Sequence, residues 1–212
     1  MATNGEQYVS TILSVLGVIS PVSWWLYWIE RKRSKKIYAH NPSSYLEMVK
    51  SQIRDANQSL TMYVRHFWKE SREYQDIKAI NDIIIDLVNN RDIEVNILCL
   101  CETDNLSAAE YMYSKVKPEK LAKLSIRYVD YSNSLQFSAH IIDGSRMIIG
   151  FHDRTNSNDT VESMLNKKIL ADAVNIKSSL ITGVFYDQIL KKRIERSLSY
   201  EDFKKQQQDV EG

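Results

Sequence analysis

Hydrophobic positions divide this chain into one long uncharged run and a series of short periodic segments. Tyr8 to Ile29 is 22 residues without a charged side chain. At about 1.5 Å of rise per residue, a helix of that length covers the roughly 30 Å hydrocarbon layer of a bilayer. Trp24, Trp25, Tyr27 and Trp28 crowd its C-terminal end, where amphipathic rings suit the headgroup layer, and Arg31, Lys32, Arg33, Lys35 and Lys36 follow. Basic flanks stay on the cytoplasmic side. The pattern therefore predicts a single-pass transmembrane helix, N-out, with the C-terminal domain cytoplasmic. A cleaved signal peptide would need a basic leading region and a small-residue cleavage site. An interfacial helix would carry cations along one face. The run has neither, and it is longer than a buried core helix needs. Pro21 predicts a kink, and Ser10, Ser14, Gly17 and Pro21 share a face narrow enough for helix pairing.

Beyond the run the periodicity changes. Asn41 to Ser44 reads as a turn feeding a helix, with Glu47 three residues after Ser44 in capping-box spacing. Tyr45, Leu46, Met48, Val49, Ile53 and Ala56 recur at helical intervals, as do Tyr74, Ile77, Ile80, Ile84, Leu87 and Val88. Leu106 to Val116 suggests a third helix and Ile176 to about Ser197 a long last one. Strands are expected over Ser59–Val64, Ile93–Leu100 and Leu124–Val129. Phe137–Asp143 and Met147–Phe151 flank Gly144-Ser145-Arg146 as a hairpin. Alternating strands and helices followed by a hairpin predict an α/β class, a mixed-sheet α/β sandwich behind one N-terminal transmembrane helix. The expected organisation is a short extracytoplasmic N-terminus (1–7), the membrane helix (8–29), a basic juxtamembrane linker (30–43), a cytoplasmic domain (44–198) and a polar tail (199–212).

Charge narrows the function. The chain carries a net +1; the basic collar supplies +4 of that and Glu6 supplies −1, so residues 37–212 sit near −2. Neutralising phosphates along a strand takes a concentrated positive face, so nucleic acid is not favoured as a partner. The collar suits anionic lipid heads, making the lipid bilayer the first expected partner. Cys99 and Cys101 share one face of an apolar strand and read as reduced structural thiols. No metal site and no cofactor are expected, because the common phosphate-loop, dinucleotide and zinc motifs are missing from the sequence.

The order of elements, with Ile141-Ile142-Asp143-Gly144 followed by Ile148-Ile149-Gly150, resembles the phospholipase D-like superfamily. Ile53 to Leu60 looks like that fold's opening helix and first strand, and Ser178–Leu190 like its final helix. The resemblance covers most of residues 45–195, about one catalytic half. Active members carry His-x-Lys-x4-Asp before the hairpin and Gly-Ser-x-Asn after it. The histidine attacks phosphorus and the lysine stabilises charge on the phosphoryl oxygens. Aligning Asp143 with the motif aspartate places Gln136 at the histidine and Ser138 at the lysine. Phe151 takes the serine position and Asp153 the asparagine position. Asp143, Gly150 and Glu162 are what remain of the pattern. The resemblance thus implies a degenerate motif without catalysis, and a homodimer, since single-motif members pair face to face.

Two histidines offer an alternative. His140 lies within the first hairpin strand and His152 just after the second, with Asp153 and Arg154 beside it. A relocated nucleophile from this set would make a membrane-tethered phosphodiesterase or nuclease. The competing reading makes His140 a strand residue and His152 the start of a polar loop. Asp143, His152, Asp153, Arg154, Asn156, Asn158 and Glu162 are the candidate ligand-binding residues, an Arg-bearing polar loop being able to hold a phosphate without chemistry. The expected function is recognition or assembly of an unidentified protein partner or phosphate-bearing ligand at the membrane. A membrane-acting defence or toxin component is the third class.

Overall fold

The computed structural model describes residues 37–39, 42–65, 75–130, 137–152 and 170–211. The membrane segment 8–29, its aromatic end and the basic collar lie outside these residues. Among the described residues no helix is long and apolar enough to cross a membrane.

The chain enters through a three-residue strand, β1 (Ile37–Ala39), and turns into helix α1 (Pro42–Arg54). There follow β2 (Ser59–Tyr63), α2 (Gln75–Arg91), β3 (Glu94–Leu100), α3 (Thr103–Lys115), a 3-10 turn (Pro118–Lys123) and β4 (Leu124–Val129). The hairpin is β5 (Phe137–Ile142) and β6 (Arg146–His152), and β7 (Leu170–Lys177) returns alongside. Helix α4 (Ser179–Phe185) runs through a π turn (Tyr186–Leu190) into α5 (Lys191–Arg196). A two-residue β8 (Leu198–Ser199) and α6 (Tyr200–Glu211) complete the described chain. The eight strands of the described residues form one sheet in the order β1-β7-β6-β5-β2-β3-β4-β8. β2, β3 and β4 are parallel and the remaining pairings antiparallel, so the sheet is mixed.

Alternation along the strands sends side chains to two cores. Leu60, Met62, Val95, Ile97, Ile126 and Ile142 meet Val49 and Ile53 of α1, Ile84 and Leu87 of α2, and Met112 of α3. Tyr63, Leu98, Ala139, Ile141, Ile149 and Val174 meet Phe185, Ile189 and Leu190 on the opposite face. Helices cover both faces, which is the expected α/β sandwich. Because α1, α2 and α3 each descend into a parallel strand, the sheet has two distinct rims. The lower rim holds the three helix C-termini and the β5–β6 turn. The upper rim holds the C-terminal ends of β2, β3 and β4, the start of β5 and the end of β6.

Several sequence expectations need correction. The last helix was expected from Ile176, but Leu170–Lys177 is a strand between β1 and β6. Residues 173–176 are all buried, and the helix starts only where the Ser178 Oγ accepts the Ile181 amide at 3.1 Å. Apolar spacing alone does not separate a doubly covered strand from a helix. The stretch taken as a juxtamembrane linker contains β1, and α1 begins at Pro42, a residue that suits a first helical turn. The polar tail is mostly helix: Phe203 is buried, its ring 4.4 Å from that of Tyr128, and Ser199 Oγ accepts the Asp202 amide. Tyr200 adds a ring contact with Tyr113 at 4.8 Å, and Lys204 pairs with Glu110 at 2.9 Å, so a polar-rich segment docks through a few residues.

Candidate functional site

The site grows from the β5–β6 hairpin. Asp143 (φ 52°) and Gly144 (φ 62°) both take left-handed backbone, and the Ser145 amide donates to the Ile142 carbonyl at 3.2 Å. Asp and Gly tolerate this left-handed backbone, and with Ser145 they form a three-residue connection that pairs Ile142 with Arg146. The turn fixes the register, placing Ser138 opposite Gly150 and His140 opposite Ile148. With a period of two, Ser138, His140 and Gly150 share the face covered by α1.

Tyr45, in the first turns of α1, lies across that face. A Cβ on Gly150 would come within 2.8 Å of the Tyr45 ring, so only glycine lets the ring settle there. The Tyr45 hydroxyl and His140 Nε2 share a 2.7 Å hydrogen bond, and the Ser138 side chain bonds the same hydroxyl. Tyr45, Ser138 and His140 are 7%, 6% and 3% exposed. Burial pushes the Tyr45 phenol up, more than its bond from Ser138 lowers it. The tyrosine therefore stays neutral, and the imidazole nitrogen it meets is engaged and shielded from water. At the C-terminal ends of β2 and β3, Asn105, fully buried, donates from Nδ2 to the Leu100 carbonyl (2.9 Å) and the Arg65 carbonyl (3.1 Å).

Asp143 stands at the other end of the hairpin. Its Oδ1 accepts the amides of Gln58 (2.8 Å), Asn57 (2.9 Å) and Ser59 (3.2 Å), while Oδ2 accepts from Arg146 at 3.3 Å. Partial burial raises the Asp143 carboxyl, but these amides and the guanidinium outweigh it and hold the group below the usual carboxylate range. Arg146 also donates to the Asp55 carbonyl at 2.9 Å. Asp143 is thus a brace between the hairpin turn and the α1–β2 connection. Four residue steps along β6, about 13 Å at strand rise, separate Arg146 from Gly150. The fold does not bring Asp143 together with the upper-rim residues.

Of the other sequence candidates, His152 ends β6 on the upper rim, and its side chain lies outside the described set, as do Gln136, Asp153, Arg154, Asn156, Asn158 and Glu162. Cys99 is buried and its thiol raised by burial; Cys101 is pushed up to about 12 by burial first, with Asp130 adding to it. Among the described residues no cluster of three or more His, Cys, Asp or Glu is placed to hold a metal. Sequence reading missed Tyr45, which counts there only as one apolar position of a helix. Its contact with His140 spans 95 residues and leaves no local signal.

With this geometry in hand, similarities to known proteins fall into place. No family model matches the chain, and no curated protein does. Among solved structures it is similar to Nuc, a phospholipase D family member from Salmonella typhimurium, at 18% identity over 79% of this chain and 98% of that one, TM-score 0.56. It is also similar to NucT from Helicobacter pylori (15% identity, 78% and 99% covered, TM-score 0.44) and to phosphatidylserine synthase from Haemophilus influenzae Rd KW20 (12%, 70% and 34%, TM-score 0.47). The fold is phospholipase D-like, a mixed α/β sheet between helical layers. At this identity the likeness is one of fold.

Proposed function

We propose that this chain is a membrane-anchored, cytoplasmic, phospholipase D-like pseudoenzyme that works as a recognition or assembly module. The observation that carries the reading is the Tyr45 ring seated on Gly150 with its hydroxyl bonded to His140 and Ser138. Phosphoryl transfer through histidine needs an imidazole nitrogen open to the phosphorus and a cation beside it. Here the histidine on the hairpin face is buried and committed to a phenol, and the aligned positions hold Gln136 and Ser138. The polar segment that follows β6, with Asp153, Arg154, Asn156 and Asn158, leaves from the same upper rim and supplies donors for a phosphate-bearing ligand or a protein partner. Residues 8–29 hold the module at the membrane, and a second copy completes it as a homodimer.

The test is phosphodiesterase activity of the full-length protein in detergent. Substrates are a chromogenic diester, single- and double-stranded DNA, and phospholipid, with His140→Ala and His152→Ala alongside. No turnover above buffer is expected. Turnover that disappears in either variant while the fold persists would overturn the pseudoenzyme reading. Light scattering at the mass of one chain per particle would remove the dimer.

A further inference from the structure

Strand β1 fixes how the sheet is presented to whatever precedes it. Ile37 pairs with Asn175, which pairs with Ile148, which pairs with His140; Ala39 reaches the level of Ala173, Gly150 and Ser138 by the same ladder. The chain therefore climbs from the lower rim toward the upper one. Only seven residues separate Ile29 from Ile37, a reach of at most about 29 Å even when fully extended. Whatever holds Ile29 is on a short tether to the lower-rim end of β1.

That rim has the charge to meet an anionic surface. Arg54, Arg91, Lys117 and Lys177 are exposed on it against the exposed carboxylates of Asp55, Glu94 and Glu119, and Lys120 and Lys123 share the carboxylate of Asp92, leaving cations in excess. The Asp143 carboxylate at the same rim is spent on backbone amides and Arg146. Cations near helix C-termini complement the dipoles of α1 and α2. Lys117 belongs with them, following α3 and reaching the Asn89 carbonyl in the last turn of α2, but Lys177 ends a strand, so dipole compensation does not account for the whole set.

We infer that the lower rim lies against the anionic bilayer face, so the upper rim with its Tyr45–His140 cluster opens to the aqueous side. This rests on the anchored reading above and sharpens it. The phosphate-bearing ligand or partner of the upper rim is then a soluble one, and the headgroups of the chain's own membrane are out of its reach. Contact at the lower rim is electrostatic and confined to a layer of about 8 Å at physiological salt.

The experiment uses the full-length chain in vesicles of phosphatidylcholine alone or mixed with phosphatidylglycerol, each doped with a headgroup-attached quencher. In a Cys101→Ser background, a fluorophore is attached through Ser145→Cys on the lower rim or Asp104→Cys on the upper rim, both exposed positions. Quenching at 145 is expected to exceed that at 104 several-fold in anionic vesicles. Adding Arg54→Glu, Lys117→Glu and Lys177→Glu should cut the quenching at 145 by at least half in anionic vesicles and leave it unchanged in neutral ones. Equal or stronger quenching at 104 overturns the orientation. Quenching at 145 that ignores the three reversals in anionic vesicles overturns the electrostatic contact. Both results leave anchoring intact, whereas release of the chain by alkaline carbonate removes the anchor, and this inference with it.

Discussion

Replacing Asp143 with asparagine isolates the charge that braces the hairpin against the α1–β2 connection. Asparagine tolerates the left-handed backbone at this position, so turn strain is not introduced. With its carbonyl in the place of Oδ1, it keeps three amide contacts but as neutral bonds, roughly half as strong as charge-assisted ones. Its amide nitrogen then faces the Arg146 guanidinium, whose bond is lost. A hydrogen bond to a charged group contributes about 1.5–3 kcal/mol net. Asn57 and Gln58 are exposed and rehydrate readily; Ser59 and Arg146 are partly covered and do not. The expected loss is about 2–3 kcal/mol. The assay is urea unfolding of the full-length protein in non-ionic detergent, followed by far-UV circular dichroism, where the midpoint should fall with the slope unchanged. The sign with pH is fixed by the direction of the shift. The folded carboxyl titrates below its unfolded value, so its contribution is complete above about pH 4 and fades as pH falls through the folded value. The gap between wild type and variant should close at low pH. A difference under about 0.5 kcal/mol at neutral pH, the scatter of ordinary surface changes, or a gap that persists in acid, refutes the brace.

Other expectations follow from the same contacts. Gly150→Ala forces a methyl against the Tyr45 ring and should cost about 1–3 kcal/mol by thermal unfolding; an unchanged melting temperature would mean the ring does not sit there. Tyr45→Phe leaves the buried His140 Nε2 without its phenol and should cost about 1–3 kcal/mol in the same assay, a neutral result removing that bond. Phe203→Ala should cost about 3–5 kcal/mol and expose α6, read as faster amide exchange across residues 200–211 than in wild type. Iodoacetamide near pH 8 should modify Cys101 slowly in the native protein and quickly in denaturant, because its thiol is pushed up to about 12; fast native labelling would contradict that.

How far the sequence carries the fold depends on where each segment's signal resides. Helix α2 was legible from its helical apolar spacing, β3 from a β-branched apolar run of strand length, β4 from its alternation and the hairpin from its Asp143-Gly144 turn. β7 was not, because residues 173–176 are buried on both faces and lose the alternation that marks a half-exposed strand. Helix α6 was not, because it is docked by a few long-range contacts, Phe203 on Tyr128, Tyr200 on Tyr113 and Lys204 with Glu110, in a segment that is otherwise polar. β1 was hidden by its brevity: three residues gain strand structure only from the long β7 beside them.

The candidate site shows a different limit. Motif positions can be read from spacing, and the register confirms that Ser138 and Gly150 face each other across the hairpin. Spacing tests whether residue types are present, while chemistry depends on whether they can be reached. His140 is present, lies on the face of the aligned lysine position and is a plausible nucleophile by type, yet a phenol from α1 holds its Nε2 and the cluster has almost no solvent contact. The residue that decides this is set by the packing of α1 over Gly150, and α1 begins five residues after the chain enters the sheet at Ile37. The same entry that ties the sheet to its N-terminal segment therefore also positions the ring that closes the histidine. Exposure of His140 and the seating of Tyr45 should therefore change together.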